Sequence, residues 1–163
     1  MLRVVYFTNA CPNTQTIPMA LVEKSVLIEY SATQMYALVL DVAAYPEFLP
    51  WCGNTEILKQ EGDITRAAIT IDFRGIKQRF STENRAVAPQ LIEMTLVDGP
   101  FRKLDGSWRF KVLGDNACKI EFRLHYEFSS KLLEKIVGPV FHFIASTFVD
   151  AFVKRAQQLY GKH

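Results

Sequence analysis

The feature that most constrains the fold is the C-terminal segment Lys131–Tyr160, which has the pattern of one long helix with Ser129 or Ser130 as its N-cap. Gly138-Pro139 is expected to interrupt this helix near its start, because proline lacks an amide donor. The apolar arc is far wider than the roughly 100° that covering one side of a sheet requires. Either the helix is sunk deeply into a concave sheet, or part of its wide apolar surface faces a ligand cavity, a partner or a membrane surface. The polar positions form one narrow stripe: Lys135, His142, Ser146, Asp150 and Lys154.

The chain before this helix has mainly the pattern of strands. Residues 20–30 form the first predicted strand, Ser31 caps a helix over residues 32–42, and Pro46 and Pro50 then allow only a short helical turn. This order predicts an α+β fold in which a curved antiparallel sheet wraps around the long C-terminal helix. Alternation and turn residues predict the remaining strands over residues 54–60, 64–73, 77–88, 91–97, 104–113 and 119–128.

Length and composition favour one domain with a large core. The chain has 163 residues, of which 49% are hydrophobic, and twelve are Phe. A net charge of +2 does not indicate general binding to polyanions. Cys11, Cys52 and Cys118 are odd in number and lack CxxC spacing, which favours free thiols in a reducing, cytoplasmic compartment. No apolar run approaches the ~18 residues that a membrane span needs.

Residues 1–18 differ from the rest of the chain. Leu2–Phe7 is a short apolar run, and residues 9–18 are polar, proline-punctuated and without periodicity. A secretory signal would need a longer apolar region and a small-residue cleavage site. A well-patterned strand follows at once from Met19. We therefore expect a weakly ordered extension over residues 1–18, a native start at Met19, and a folded domain over residues 19–163.

Three motifs are specific enough to indicate a family: Tyr45-Pro46-Glu47-Phe48-Leu49-Pro50-Trp51-Cys52, Leu96-Val97-Asp98-Gly99-Pro100-Phe101-Arg102-Lys103-Leu104, and Trp108-Arg109-Phe110. Over roughly residues 21–160 the chain resembles the coenzyme Q-binding START-domain family of the polyketide cyclase and lipid-transport superfamily. Bacterial members of that family are also called ribosome association toxins. The resemblance implies a helix-grip (START/Bet v 1-like) fold that binds ubiquinone or a related polyprenyl lipid under the last helix, in support of respiratory electron transport. It also implies an alternative role, in which the protein binds the large ribosomal subunit and blocks subunit joining.

Inward-facing apolar side chains are the candidates to line such a cavity. Burial of one five-carbon prenyl unit contributes roughly 3–4 kcal/mol, so an apolar lining can bind a polyprenyl tail with few polar contacts. Tyr126 and Trp108 carry polar groups that could meet a quinone oxygen. Each candidate, taken alone, is equally compatible with an ordinary core. The full set is Ile71, Phe73, Phe80, Met94, Trp108, Phe110, Phe122, Leu124, Tyr126, Phe141, Ile144, Phe148 and Phe152.

The motifs around the two turns predict a rim for the cavity. An exposed aromatic side chain beside a cation can touch a lipid surface, which predicts transient contact with the inner face of the membrane. The other interpretation of Asp98-Gly99-Pro100-Phe101 is a demanding turn in which glycine adopts a positive φ and proline fixes the next residue. The rim candidates are Pro46, Phe48, Leu49, Trp51, Phe101, Arg102 and Lys103.

The sequence gives little support for catalysis. His125 and His142 lie on the polar sides of their elements, and His163 is the last residue. None of them has metal-ligand spacing to a second ligand, and no Ser or Cys lies in a nucleophile motif. We expect no catalytic residue, no metal and no covalent cofactor. The expected ligand is ubiquinone or a related polyprenyl lipid, and the oligomeric state is left open.

Ribosome association would require a basic surface. RNA-binding proteins usually show a larger basic excess or exposed stacking aromatics, so a mixed, solvated sheet face is the alternative. The expectation of a ribosomal partner therefore comes mainly from the family resemblance. The candidate cations follow one hairpin and one further strand: Arg74, Lys77, Arg79, Arg85, Arg102, Lys103, Arg109 and Lys111.

Overall fold

A computed structural model describes residues 2–7 and 19–161, with side chains described for 19–161. Within these residues eight strands pair antiparallel in one sheet, in the order β1-β2-β8-β7-β6-β5-β4-β3, and α2 packs against one face of it. The predicted α+β helix-grip architecture is confirmed. The elements are β1 Leu2–Phe7, β2 Met19–Ile28, α1 Ala32–Leu40, a 3-10 helix Val42–Glu47, β3 Cys52–Glu61, β4 Ile64–Phe73, β5 Ile76–Val87, β6 Leu91–Asp98, β7 Phe101–Gly114, β8 Ala117–Phe128 and α2 Lys131–Tyr160.

The long helix α2 is continuous. The Ser130 side chain accepts a hydrogen bond from the Leu133 amide at 3.1 Å, as expected of an N-cap. The expected interruption at Gly138-Pro139 was wrong, because α2 runs through both residues. Pro139 is exposed, so the Lys135 carbonyl that loses its helical partner faces water rather than the core. Contrary to the expectation that no apolar run approaches a membrane span, α2 is long and apolar enough to cross a membrane by length and composition alone. In the structure its apolar side packs on the sheet.

Two elements near the predicted turns differ from expectation. The first helix ends at Leu40 instead of residue 42, and the chain continues as the 3-10 helix, which includes Pro46. The Tyr45 hydroxyl donates a hydrogen bond to the Val39 carbonyl and thereby fixes this helix against the end of α1. Strand β7 begins at Phe101, three residues before the predicted position, because its pairing with β8 starts opposite Phe128.

The N-terminal run contributes to the sheet. Strand β1 pairs with β2 from Leu2 opposite Lys24 to Phe7 opposite Met19. Part of the predicted extension is therefore the edge strand beside β2. Residues 1, 8–18 and 162–163 lie outside the described residues, so weak order at the N-terminus and a start at Met19 stay predictions.

An aromatic cluster joins α2 to the sheet. The Trp108 side chain on β7 is fully buried. Its ring centroid lies 4.7 Å from that of Phe122, 5.5 Å from that of Phe148 and 5.2 Å from that of Phe152. Tyr45 also packs edge-on against Phe152 at 5.3 Å, so the 3-10 helix belongs to the same cluster. The motif loops and the helix are thus held by one set of rings.

The turn between β6 and β7 requires glycine. Gly99 has a φ of 147°, and an added Cβ would lie 2.6 Å from the Cβ of Phe80. Both the backbone conformation and the space therefore exclude a larger residue. Of the two interpretations of this motif, the demanding turn describes its local structure.

We expect Gly99→Ala to lower the free energy of unfolding by about 3 kcal/mol, because strain and a clash with Phe80 add together. Gly75→Ala is the matched control, since its φ is 77° but nothing lies within 4 Å of the added Cβ. Strain alone should cost about 1 kcal/mol there. Urea unfolding of both variants gives the comparison. If both variants lose the same free energy of unfolding, the contact between the added Cβ and Phe80 does not contribute to the loss at Gly99.

Candidate functional site

An apolar cavity lies between α2 and the sheet face that α2 covers. Its volume is about 60 Å³, well below the ~300–1,000 Å³ of typical ligand pockets. Many predicted cavity residues meet there, from β4, β5, β6, β8 and α2: Ile71, Phe80, Met94, Phe122, Leu124, Phe141, Ile144 and Phe148. The rest of the lining consists of Val42, Tyr45, Trp51, Ile69, Leu104 and Ala145, with the polar residues Thr82 and Asn84.

The other predicted cavity residues lie elsewhere. Trp108, Phe110 and Phe152 are buried within the core beside the cavity. The Tyr126 hydroxyl lies 3.5 Å from Nδ1 of His142, at a surface depression on the far side of Phe141. Strand alternation indicates which face a side chain occupies, but it does not indicate how far along that face the helix makes contact.

Phe73 lies outside the cavity lining and is half-buried at the end of β4, packed against the core. Its ring stacks on Phe143 with centroids 5.8 Å apart and an interplanar angle of 4°. The Arg74 guanidinium lies 4.8 Å from the Phe73 centroid and 4.9 Å from the Phe143 centroid. Arg74 and Phe143 thus extend an aromatic and cationic surface from the β4–β5 turn onto the helix.

The predicted rim divides into buried and exposed residues. Leu49, Trp51 and Phe101 are 1%, 4% and 5% exposed, so none of them is a free rim side chain. Phe101 turns inward because its ring packs between Phe128 and Phe141, at 5.0 and 4.8 Å.

Four rim candidates remain at or near the surface. Pro46 is exposed and Phe48 is half-buried beneath the Arg155 guanidinium, which lies 5.2 Å from its ring centroid. Arg102 forms an ion pair with Glu127, and Lys103 is exposed. The expected pairing of an exposed aromatic with a cation therefore occurs at Phe143, beside Arg74, and a half-buried version of it occurs at Phe48. It does not occur at Phe101.

The solvent face of α2 changes character along its length. In the N-terminal half Leu132, Ile136 and Phe143 are 67%, 51% and 37% exposed. In the C-terminal half the positions in line with these are polar, with Asp150 and Lys154 exposed, and the exposed Leu159 lies on another side of the helix. The apolar residues of α2 beyond those needed to cover the sheet thus lie in two places. Some line the cavity, and the others form this exposed apolar half.

Thr82 and Asn84 were missed by the sequence predictions. Both lie on the same face of β5 as Phe80, and the Thr82 hydroxyl donates a hydrogen bond to Oδ1 of Asn84 at 2.9 Å. A period of two from Phe80 would have placed them inside. They were not predicted because strand faces were assigned from the alternation of apolar residues, to which small polar residues do not contribute.

The cavity wall is uncharged, and two cysteine thiols buried elsewhere in the core are protonated. Burial raises the pKa of the Cys52 and Cys118 thiols to about 11, so both stay protonated at neutral pH. Burial also raises the pKa of Tyr45 far above its ordinary value. No residue on the cavity wall, which falls wholly within the described chain, carries a charge. Within residues 19–161 no cluster of His, Cys, Asp or Glu could hold a metal ion.

The cations along the β4–β5 hairpin are largely neutralised. Arg66 pairs with Glu83 at 3.0 Å, and Arg79 pairs with Glu56 at 2.8 Å. Arg85 lies 4.0 Å from Asp63. This part of the outer sheet face, which points away from α2, is the mixed and solvated surface that was the alternative interpretation.

A second basic region lies on the outer face of β7 and β8. Lys111 and Lys119 face each other across the two strands, and both contact Glu121, at 3.1 and 3.4 Å. The hydrogen bond from Lys111, aided by Lys119, lowers the pKa of Glu121. Arg123 continues this region and pairs with Glu23 at 3.6 Å. Arg109 continues it too, and among the described residues Arg109 has no carboxylate within 4.0 Å. We call Arg109, Lys111, Lys119 and Arg123 the β7–β8 basic face.

The architecture and the cavity define a START-like, helix-grip protein. The structure superposes on a START superfamily protein from Mycobacterium smegmatis with a TM-score of 0.71 and 23% identity, covering 85% of this chain and 98% of that one. It also matches the solution structure of an 18 kDa protein from Caulobacter crescentus with a TM-score of 0.67 and 30% identity, covering 87% and 99%.

The chain belongs to the polyketide cyclase/dehydrase and lipid transport family, whose model matches residues 28–153. The ribosome association toxin RatA of Pseudomonas aeruginosa is 44% identical over 140 residues, which are 86% of this chain and 97% of that protein. Coenzyme Q-binding protein COQ10 homolog B, mitochondrial, of Xenopus laevis is 29% identical over 143 residues, covering 85% and 59%. The family expected from the motifs is confirmed.

Proposed function

We propose that the protein binds a hydrophobic isoprenoid lipid, with ubiquinone as the foremost candidate, and carries or shields it without chemical change. The observation that supports this proposal is the uncharged, largely aromatic and aliphatic cavity under α2. A relative is named as a coenzyme Q-binding protein, which points to the same class of ligand.

The energetics of an apolar ligand suit this lining. Each prenyl unit that enters contributes roughly 3–4 kcal/mol without any polar partner. A volume of about 60 Å³ is too small for such a chain, so binding requires α2 and the sheet to separate locally. An uncharged lining of this kind offers no general acid or base, and we therefore propose a carrier or chaperone rather than an enzyme.

The first prediction concerns a bound lipid. Organic extraction of protein from its native host, followed by mass spectrometry, should yield a stoichiometric quinone. Ala145→Leu should abolish this recovery, because the buried Ala145 lines the cavity and a leucine fills the existing space. Ala43→Leu, an exposed position in the 3-10 helix, is the control. Equal lipid in both variants would contradict binding in this cavity.

We also propose that the protein acts in the cytoplasm and contacts a membrane transiently to collect its ligand. The contact surface is the exposed apolar half of α2, formed by Leu132, Ile136 and Phe143. Lys131 and Lys135 are exposed on the same turns, and Arg74 lies over the Phe143 ring. Apolar side chains flanked by cations suit a bilayer with anionic lipids.

Ile136→Glu should lower affinity for vesicles of phosphatidylethanolamine and phosphatidylglycerol at least about tenfold. It replaces apolar surface that the bilayer would bury, and the new carboxylate is repelled by the anionic lipid. Leu159→Glu is a close match, because Leu159 is 52% exposed against 51% for Ile136 and lies at the other end of α2. Co-sedimentation with the vesicles measures the affinity of each variant. Equal binding by the two variants would place the membrane contact elsewhere.

A second candidate function is association with the large ribosomal subunit. Relatives that are 44–45% identical are named ribosome association toxins, and the β7–β8 basic face provides a cationic surface away from the cavity. Phosphate contacts from lysine and arginine would dominate such binding and make it sensitive to salt. The two candidate functions therefore use opposite faces of the sheet.

Arg109→Glu should abolish comigration with large subunits on a low-salt gradient and leave lipid recovery unchanged. It reverses the member of the β7–β8 basic face that, among the described residues, has no carboxylate within 4.0 Å. Lys154→Glu makes the same charge change on the solvent side of α2 and should have no effect on comigration. The cavity variant Ala145→Leu should also still comigrate. Ribosome association that survives Arg109→Glu would exclude the β7–β8 basic face.

A further inference from the structure

The side chains of Thr82 and Asn84 are polar, whereas the rest of the cavity is lined mainly by aliphatic and aromatic residues. Thr82 is only 5% exposed, although most buried positions of this sheet face are apolar. Asn84 lies directly opposite Met94 across the β5–β6 ladder, and both side chains line the cavity. A polar group in such surroundings costs stability unless it is paired.

The hydrogen bonding of the pair leaves a defined group free. The Thr82 hydroxyl donates to Oδ1 of Asn84, so the amide oxygen is occupied. Asparagine has two further donors on Nδ2, and these make no hydrogen bond within residues 19–161. Asn84 lines the cavity, so the hydrogen-bonding capacity that its amide can still offer a ligand there is a donor, which suits an oxygen acceptor.

Asn84 lies where the polar head group of a bound lipid would be, rather than where its apolar tail would be. Most of the lining is buried, whereas Ile69, Asn84, Met94 and Phe148 are half-buried and mark the accessible side. A ligand with an apolar tail in the interior would leave its polar end near these residues. The donors named from the sequence lie elsewhere: Trp108 Nε1 is buried outside the lining, and the Tyr126 hydroxyl is near His142.

We propose that Asn84 is the head-group subsite of the cavity, where its amide donates a hydrogen bond to a carbonyl oxygen of the ligand. Thr82 is a positioning residue, since its hydroxyl holds the amide oxygen and thereby presents Nδ2. The subsite selects apolar chains that carry a carbonyl acceptor, such as quinones, over plain hydrocarbons. This inference rests on the proposed lipid-binding function and specifies the class of ligand.

The test compares two probes with the same alkyl chain, decylubiquinone and decylbenzene, by NMR titration of the ¹⁵N-labelled protein. In the wild-type protein the Asn84 side-chain amide signals should shift with decylubiquinone and not with decylbenzene. Asn84→Leu should weaken decylubiquinone binding about tenfold and leave decylbenzene binding equal or tighter.

Two further variants complete the test. Thr82→Val should lower the preference for the quinone severalfold, which a purely structural role would not do because both probes would then weaken together. Asn54→Leu makes the same substitution at an exposed position on strand β3 and should change neither affinity.

The outcomes separate this subsite from the general proposal. If the wild-type protein binds decylubiquinone but Asn84→Leu binds it equally well, the subsite is wrong and lipid binding stands. Equal weakening for both probes in Asn84→Leu would likewise overturn the subsite. If the wild-type protein binds neither probe, the proposed function fails and the subsite fails with it.

Discussion

The packing of α2 against β7 and β8 through aromatic rings is the interaction on which the rest of the molecule depends. Trp108, Phe122, Phe148 and Phe152 hold the helix to the sheet, and Tyr45 connects the motif loop to the same cluster. Large rings define a fixed spacing between helix and sheet. The cavity is the part of this interface where smaller side chains, such as Ala145, do not fill that spacing.

The sheet separates two kinds of surface. The face covered by α2 is apolar and encloses the cavity, whereas the outer face is charged and exposed. Alternation along each strand makes this separation possible, because adjacent residues point to opposite sides. On β8, for example, Phe122 lies in the core while Arg123 lies on the β7–β8 basic face. Relatives of this chain are named for coenzyme Q binding and for ribosome association, and the two proposed functions would use separate faces of the sheet.

Much of the fold was predictable from the sequence, and less of the site. The bounds of β4 and α2 agree with the predicted ones, because their apolar periods are long and their ends are marked by glycine or serine. Cavity residues such as Leu124 followed from the same alternation. The burial of Phe101 was not predictable, since the direction of a side chain after a turn depends on tertiary packing. Asn84 was missed because its role depends on where the helix leaves space, which no local pattern records.

The small volume of the cavity has a consequence for how tightly any ligand is held. A protein that must open before it binds has an apparent dissociation constant equal to the intrinsic one divided by the open fraction. The ion pairs that bridge α2 to other elements, Lys24 with Asp150 and Arg155 with Glu47, both lie on its C-terminal half. They leave the N-terminal half as the part of the helix more easily displaced. For the proposed ligand, affinity would therefore be set as much by the stability of the closed form, a property of the whole helix, as by the cavity walls.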